Sequence, residues 1–139
     1  MRVKPKKHLG QHFLKDESIC ARISDSIKGS CENMVEVGPG TGALTQHLLT
    51  SKSFHQFYVM EVDLESIKYL ENRFPDLSSD QIINGDFLAY DTPKLFNGEP
   101  FIVVGNFPYN ISSQILFRCL EYKSDIPEIV GMFQKEVAE

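Results

Sequence analysis

Met34-Val35-Glu36-Val37-Gly38-Pro39-Gly40-Thr41-Gly42 decides how this 139-residue chain is read. Met34 to Val37 is a short, mostly apolar strand, and the residues after it form a glycine-rich turn. Glycine is needed where the backbone must turn tightly and let a ligand come close. A helix is expected from about Ala43 to Lys52, with Leu44, Leu48 and Leu49 on one face. Strand, glycine turn and helix in that order open a parallel βαβ unit, and in such sheets ligands bind beyond the carboxyl ends of the strands. The spacing is G-x-G-x-G. The dinucleotide fingerprint G-x-G-x-x-G/A is met loosely, with Ala43 as its third small residue. Taken alone, the turn suits a plain tight turn as well as a ligand cradle.

Outward from this unit the alternation repeats. Phe57 to Met60 reads as a second strand. Asp63 is expected to cap a helix whose buried stripe is Leu64, Ile67, Leu70 and Phe74, with Pro75 ending it. Gln81 to Ile83 is a third strand, ending at Gly85-Asp86. Residues 89–100 read as a loop, marked by Asp91, Pro93, Asn97, Gly98 and Pro100. Phe101 to Gly105 is a fourth strand, and Ser112 or Ser113 is expected to cap the next helix, carrying Ile115, Leu116, Cys119 and Leu120. Ile129 to Phe133 is a fifth. Upstream, Asp16 is expected to cap a helix with Ile19, Ile23 and Ile27 at four-residue spacing, ended by Gly29. The fold class is therefore α/β, a Rossmann-like, mostly parallel sheet buried on both faces. A helix after the fifth strand is only beginning at Gln134-Lys135-Glu136, so the sheet reads as truncated there, in a piece of a longer protein.

Composition bounds the function. At 42% hydrophobic and 24% charged, the chain has enough apolar residues for one core. No stretch approaches a membrane span and no secretory signal is visible, which points to a cytoplasmic protein. Cys20, Cys31 and Cys119 are scattered and odd in number, which fits a reducing compartment and neither a disulfide framework nor a metal site. His8, His12, His47 and His55 are equally dispersed, so no metal is expected. The net charge of −5 is unevenly spread. Residues 1–15 hold Arg2, Lys4, Lys6, Lys7 and Lys15 and no acid, whereas residues 16–139 hold nine basic and nineteen acidic side chains. Two segments follow: a basic N-terminal arm over 1–15, with Lys4, Lys6 and Lys7 as candidate phosphate contacts, and a ligand-binding domain over 16–139.

The ends of the strands carry the candidate chemistry. Glu61 closes the second strand about twenty residues after the glycines, where an acid can accept hydrogen bonds from ribose hydroxyls. Asp86 follows the third strand and precedes Phe87, a pairing able to bind an adenine amine beside a packed ring. Asn106-Phe107-Pro108-Tyr109 follows the fourth. An amide, a proline and an aromatic make poor core there, but they suit gripping a planar ring that carries an exocyclic amine. Each residue alone is close to chance as a turn former or exposed strand end. Glu36, Gly38, Gly40, Glu61, Asp86 and Asn106 together line one rim of one sheet.

This set resembles the class I S-adenosylmethionine-dependent methyltransferases, and within them the ribosomal small-subunit RNA adenine-N6,N6-dimethyltransferases. The resemblance is carried by His8-Leu9-Gly10-Gln11-His12-Phe13-Leu14, Glu36 to Gly42, Glu61-Val62-Asp63, Gly85-Asp86-Phe87 and Asn106 to Ser112, and it covers essentially the whole chain. It implies a class I methyltransferase sheet, S-adenosyl-L-methionine as cofactor, and methyl transfer to N6 of two adjacent adenosines in a 3′-terminal hairpin of 16S rRNA during ribosome biogenesis. The partner is then the small-subunit rRNA or pre-30S particle, met by a monomer without a membrane. It further implies that Gln11, His12 and Leu14 close over the cofactor, that Gly38 approaches its methionine portion, that Glu61 binds ribose and Asp86 adenine, and that Asn106 spans cofactor and target amine. Position 12 is His where many relatives carry Asn, and either side chain can donate the contact. Later strands and a small helical C-terminal domain found in relatives are missing here.

On this reading the difficult partner is the acceptor, because the adenine N6 lone pair is delocalised into the ring. The Asn106 side chain and the Pro108 carbonyl, accepting both amine hydrogens, return that charge to nitrogen as attack begins. Tyr109 stacks on the base and holds it in line. Three other readings stay open: a nicotinamide-dependent oxidoreductase, which leaves the Asn106 stretch without a role; a non-catalytic RNA-binding or ribosome-assembly module; and an adenine-N6 methyltransferase of large-subunit RNA or DNA.

Overall fold

The computed structural model describes residues 9–51, 53–107 and 109–133. In chain order they form α1 (Leu9–Asp25), β1 (Asn33–Val37), α2 (Ala43–Ser51), β2 (Gln56–Glu61), α3 (Leu64–Arg73), β3 (Ile82–Asn84), β4 (Ile102–Phe107), α4 (Tyr109–Glu121) and β5 (Glu128–Phe133). Short 3₁₀ turns at Ser79–Gln81 and Thr92–Phe96 precede β3 and β4. The strands make one sheet in the order β3-β2-β1-β4-β5, and every pairing is parallel. The chain moves outward from β1 through β2 to β3, then returns to the other side of β1 with β4. That reversal opens a crevice at the carboxyl ends of β1 and β4, the usual ligand position in open α/β sheets.

Strand side chains alternate between two buried faces. Met34, Val59, Ile102 and Val104 meet Cys20, Ile23, Leu44, Leu48, Ile67 and Leu70 of α1, α2 and α3. Val35, Met60, Val103 and Phe107 meet Phe87, Phe96, Ile115 and Cys119 on the other side. Glu36 shares the first face with Met34, and Asn106 shares it with Val104, the register partner of Glu36. This parity brings Glu36 and Asn106 to one place. The Phe107 ring needs room on the opposite face: a Cβ on Gly105 or Gly131 would lie 2.5 Å from it. These two glycines are register partners on β4 and β5, so together they make the seat for that ring.

Several sequence expectations shift. The first helix begins at Leu9, not after Asp16, so residues 9–15 of the expected arm are helical. Leu9, Phe13 and Cys20 continue the apolar helical spacing upstream, and this outweighs the capping preference of Asp16. The fourth strand runs two residues further than expected, to Phe107, and α4 starts at Tyr109 rather than after Ser112 or Ser113. Sheet pairing carries the strand through Asn106, which aligns with Met132, where the local sequence suggested a turn. The loop over 89–100 contains the 3₁₀ turn, whose Phe96 is fully buried. Asp63 caps α3 as expected, its carboxylate accepting the Ser66 N–H at 3.0 Å.

Candidate functional site

The turn after β1 is held in the left-handed region at Gly38 (φ +70°), Gly40 (φ +58°) and Gly42 (φ +95°), which residues bearing a Cβ rarely adopt. Their surroundings differ. At Gly42 a Cβ would lie 2.4 Å from Cε2 of Phe74, so this glycine lets α3 pack against the turn. At Gly38 and Gly40 a Cβ would meet no atom of the described residues within 4 Å, which leaves space there for a ligand. The turn is fastened from several sides. The Gly38 N–H donates to the Met60 carbonyl at 2.8 Å, and Arg73 on α3 donates to the Thr41 carbonyl at 2.7 Å.

Glu61 is only 8% exposed, so it is not a solvated strand-end acid. Its Oε1 accepts the Gly40 N–H at 2.9 Å and its Oε2 accepts the Asp63 N–H at 3.1 Å. These amides fix the carboxylate at the mouth of the turn, and each oxygen keeps a second acceptor direction for a sugar hydroxyl. Glu36 is buried at 1% exposure, and its Oε1 accepts the Thr45 hydroxyl at 2.6 Å. Burial pushes its carboxyl up to about 8, against the Thr45 hydrogen bond and reinforced by the nearby Glu61 charge. Asp86 turns the chain after β3: its Oδ1 accepts the Leu88 N–H at 3.0 Å.

Two cavities open on this rim. The first, of about 280 Å³, is walled by Gly38, Glu61, Asp86, Phe87, Ile111 and Ile115. The second, of about 160 Å³, is walled by Cys20, Glu36, Gly38, Thr41, Ala43 and Asn106. Gly38 belongs to both. The first is mostly apolar with two acids at its edge, which suits a nucleoside; the second presents an acid, a hydroxyl and an amide, which suits a polar, charged tail. Together the two cavities can hold a ligand with a nucleoside at one end and a charged, polar tail at the other, the two ends of S-adenosylmethionine. A larger cavity of about 570 Å³ lies along β5 beside Arg22, Ser26 and Lys28, away from the strand-end acids. Its carboxylate, Glu128, is already engaged by the Lys28 and Ser30 N–H groups at 2.6 and 3.1 Å.

The structure thus brings Gly38, Glu61 and Asp86 to one cavity, Gly38 and Asn106 to the next, and ties Gly40 to Glu61. Gln11, His12 and Leu14 fall in the first turns of α1, and Tyr109 opens α4; their side chains lie outside the described residues. Pro108, Lys4, Lys6 and Lys7 also lie outside the described residues. Sequence reasoning missed that Ile111 and Cys20 line the cavities and that Glu36 pairs with Thr45. The four-residue step from Ile111 to Ile115 was the available signal for the first, and the parity of Glu36 with Met34 for the last.

A family model described as "Ribosomal RNA adenine dimethylase" matches residues 2–139. Among curated relatives, the ribosomal RNA small subunit methyltransferase A of Cytophaga hutchinsonii is 52% identical over 140 residues, covering 99% of this chain and 53% of the relative. That of Flavobacterium johnsoniae is 54% identical, covering 99% of this chain and 52% of the relative. The chain therefore spans about half the length of these relatives. Among solved structures, the 23S rRNA methyltransferase ErmE is similar with a TM-score of 0.61 and 32% identity, over 78% of this chain and 42% of that one. A dimethyladenosine transferase from Plasmodium falciparum gives a TM-score of 0.60 and 27% identity, over 90% of this chain and 43% of that one.

Proposed function

We propose a function from one premise: the chain belongs to the ribosomal RNA adenine dimethylase family. The protein transfers methyl groups from S-adenosylmethionine to N6 of adenosines in small-subunit rRNA, two adjacent ones in a 3′-terminal hairpin, as part of ribosome biogenesis. The observation that carries this reading is the pair of cavities sharing Gly38, one with Glu61 and Asp86, the other with Asn106. The naming of the small-subunit relatives, above 50% identity across this chain, supports the choice of RNA.

When bound, S-adenosylmethionine supplies a methyl group already activated on a sulfonium. Glu61 holds ribose hydroxyls, Asp86 the adenine amine, and Gly38 lets the methionine portion lie against the backbone. Gln11, His12 and Leu14 cover the site from α1. Asn106, on β4 at the switch point, accepts a hydrogen of the target amine with Pro108 accepting the other, which draws the lone pair back onto N6. Tyr109 stacks on the flipped base. Asn106 is no base; the proton leaves the nitrogen after transfer, once it has become acidic. The basic segment with Lys4, Lys6 and Lys7 contacts RNA phosphates, and residues 16–139 belong to the cofactor-binding domain. With rRNA of the pre-30S particle as its substrate, the protein works in the cytoplasm, as a monomer. Among the described residues no helix is long and apolar enough to cross a membrane.

The test is single-turnover transfer of labelled methyl to small-subunit rRNA by the full-length protein. Asn106→Ala should slow transfer by on the order of a hundredfold with cofactor affinity little changed. An unaltered rate in Asn106→Ala removes the amine-gripping role. The similarity to ErmE supports a second reading, methylation of large-subunit RNA. Labelling of that RNA in preference to the small-subunit hairpin selects it.

A further inference from the structure

Arg118 lies on the inner flank of α4, its side chain 20% exposed. A helix-surface arginine ordinarily reaches into solvent or pairs with an acid one turn away. This one does pair with Glu121 at 3.2 Å, but the rest of its guanidinium is spent on backbone. Nε donates to the Phe87 carbonyl at 3.2 Å and Nη2 donates to the Tyr90 carbonyl at 2.9 Å. Cζ stands 4.9 Å from the centre of the Tyr122 ring, which fixes the plane of the fork.

Both carbonyls belong to the turn that presents Asp86. Inside that turn the Ala89 and Tyr90 N–H groups donate to the Asp86 carbonyl, each at 2.8 Å, and the Leu88 N–H donates to the Asp86 side chain. Tyr90 also lies over Gly85, where a Cβ would come within 2.9 Å of its ring. The turn is therefore a compact unit, and Arg118 joins it to α4. That helix starts in the Asn106–Tyr109 motif and gives Ile111 and Ile115 to the same cavity that Phe87 and Asp86 line.

We infer that Arg118 is a positioning residue: it fastens the Asp86 turn to the helix leading from Asn106, holding the adenine-binding and amine-binding sides of the site in one geometry. This rests on the cofactor reading above. A planar fork spans two carbonyls at once, which a lysine ammonium does not do with the same fixed geometry. Arg118→Met keeps the aliphatic stem, and Arg118→Lys keeps the charge.

The experiment is calorimetric titration of S-adenosylmethionine into the full-length protein, at a temperature well below each variant's unfolding transition. Arg118→Met and Arg118→Lys should each bind about tenfold more weakly than wild type. Adding Arg118→Met to Asp86→Ala should cost less than about twofold beyond Asp86→Ala alone, because the fork acts through Asp86. A merely structural arginine would lower the unfolding temperature, and its effect on affinity would multiply with that of Asp86→Ala. If Arg118→Met does not fold, Arg118→Lys alone and combined with Asp86→Ala decides by the same comparison. Wild-type affinity in the single Arg118 variant, or a full tenfold further loss in the double variant, overturns the inference and leaves the cofactor reading standing. Failure of the wild-type chain to bind the cofactor overturns both.

Discussion

Glu36 shows how much a single position can owe to strand parity. Its neighbours Met34 and Val104 face α1 and α2, so the same alternation drives its carboxyl into that layer, where Thr45 is the hydrogen-bond partner. Folded Glu36 keeps its proton up to about 8, against an ordinary value of 4.5. Between those values the folded state binds more protons than the unfolded state. Stability is therefore highest at the acidic end of this window and falls as pH rises through it, by at most about 1.4 kcal/mol per pH unit. Glu36→Gln keeps an acceptor for Thr45 and removes the ionisation. Thermal unfolding from pH 5 to 8 should show the wild type losing stability relative to Glu36→Gln, with Glu61 common to both; parallel curves would contradict the assignment. At this scale the sequence revealed position better than state. The positions of Glu61, Asp86 and Asn106 at or near the carboxyl ends of β2, β3 and β4 were legible from the apolar runs before them, whereas the neutral Glu36 depends on what α2 brings against it. Arg118 carried no local signal, since its carbonyl partners are about thirty residues away.

Among the elements, the turn from β1 to α2 divides its glycines between packing and binding. Gly42→Ala drives a Cβ into the Phe74 ring at a positive φ, and should destabilise the fold by about 1–3 kcal/mol. Gly38→Ala meets no atom of the described residues, so its main stability cost is the left-handed backbone, about 1 kcal/mol, but the new methyl enters the space shared by both cavities. Urea unfolding together with cofactor titration should show Gly42→Ala hurt mainly in stability and Gly38→Ala mainly in affinity; equal profiles would remove the division. Element identities were readable from apolar runs and helical stripes, and α2 and α3 came close to their expected limits. Boundaries were harder where a strong local signal misled. Asp16 looks like a cap but lies inside α1, and Asn106 with its following proline looks like a turn but continues β4. In both cases pairing or helical periodicity extending beyond the local residues sets the limit.

At the scale of the whole molecule, charge and length bear on partners. A net −5 opposes RNA binding, while residues 1–15 carry five basic side chains and no acid. Neutralising Lys4, Lys6 and Lys7 in the full-length protein should weaken RNA binding and flatten its salt dependence by up to about three counterions' worth; an unchanged salt slope would leave the segment a tail. The all-parallel order β3-β2-β1-β4-β5 fixes where a cofactor can lie, and a nicotinamide dinucleotide is the competing ligand for the same rim and glycine turn. The central claim is that this rim binds S-adenosylmethionine through Glu61. Its most direct test is to titrate S-adenosylmethionine and a nicotinamide dinucleotide into the full-length protein and its Glu61→Ala variant. The account predicts one site for S-adenosylmethionine, none for the dinucleotide, and a loss of about 1.5–3 kcal/mol in Glu61→Ala. Binding of the dinucleotide in place of S-adenosylmethionine, or an affinity unchanged by Glu61→Ala, would contradict it.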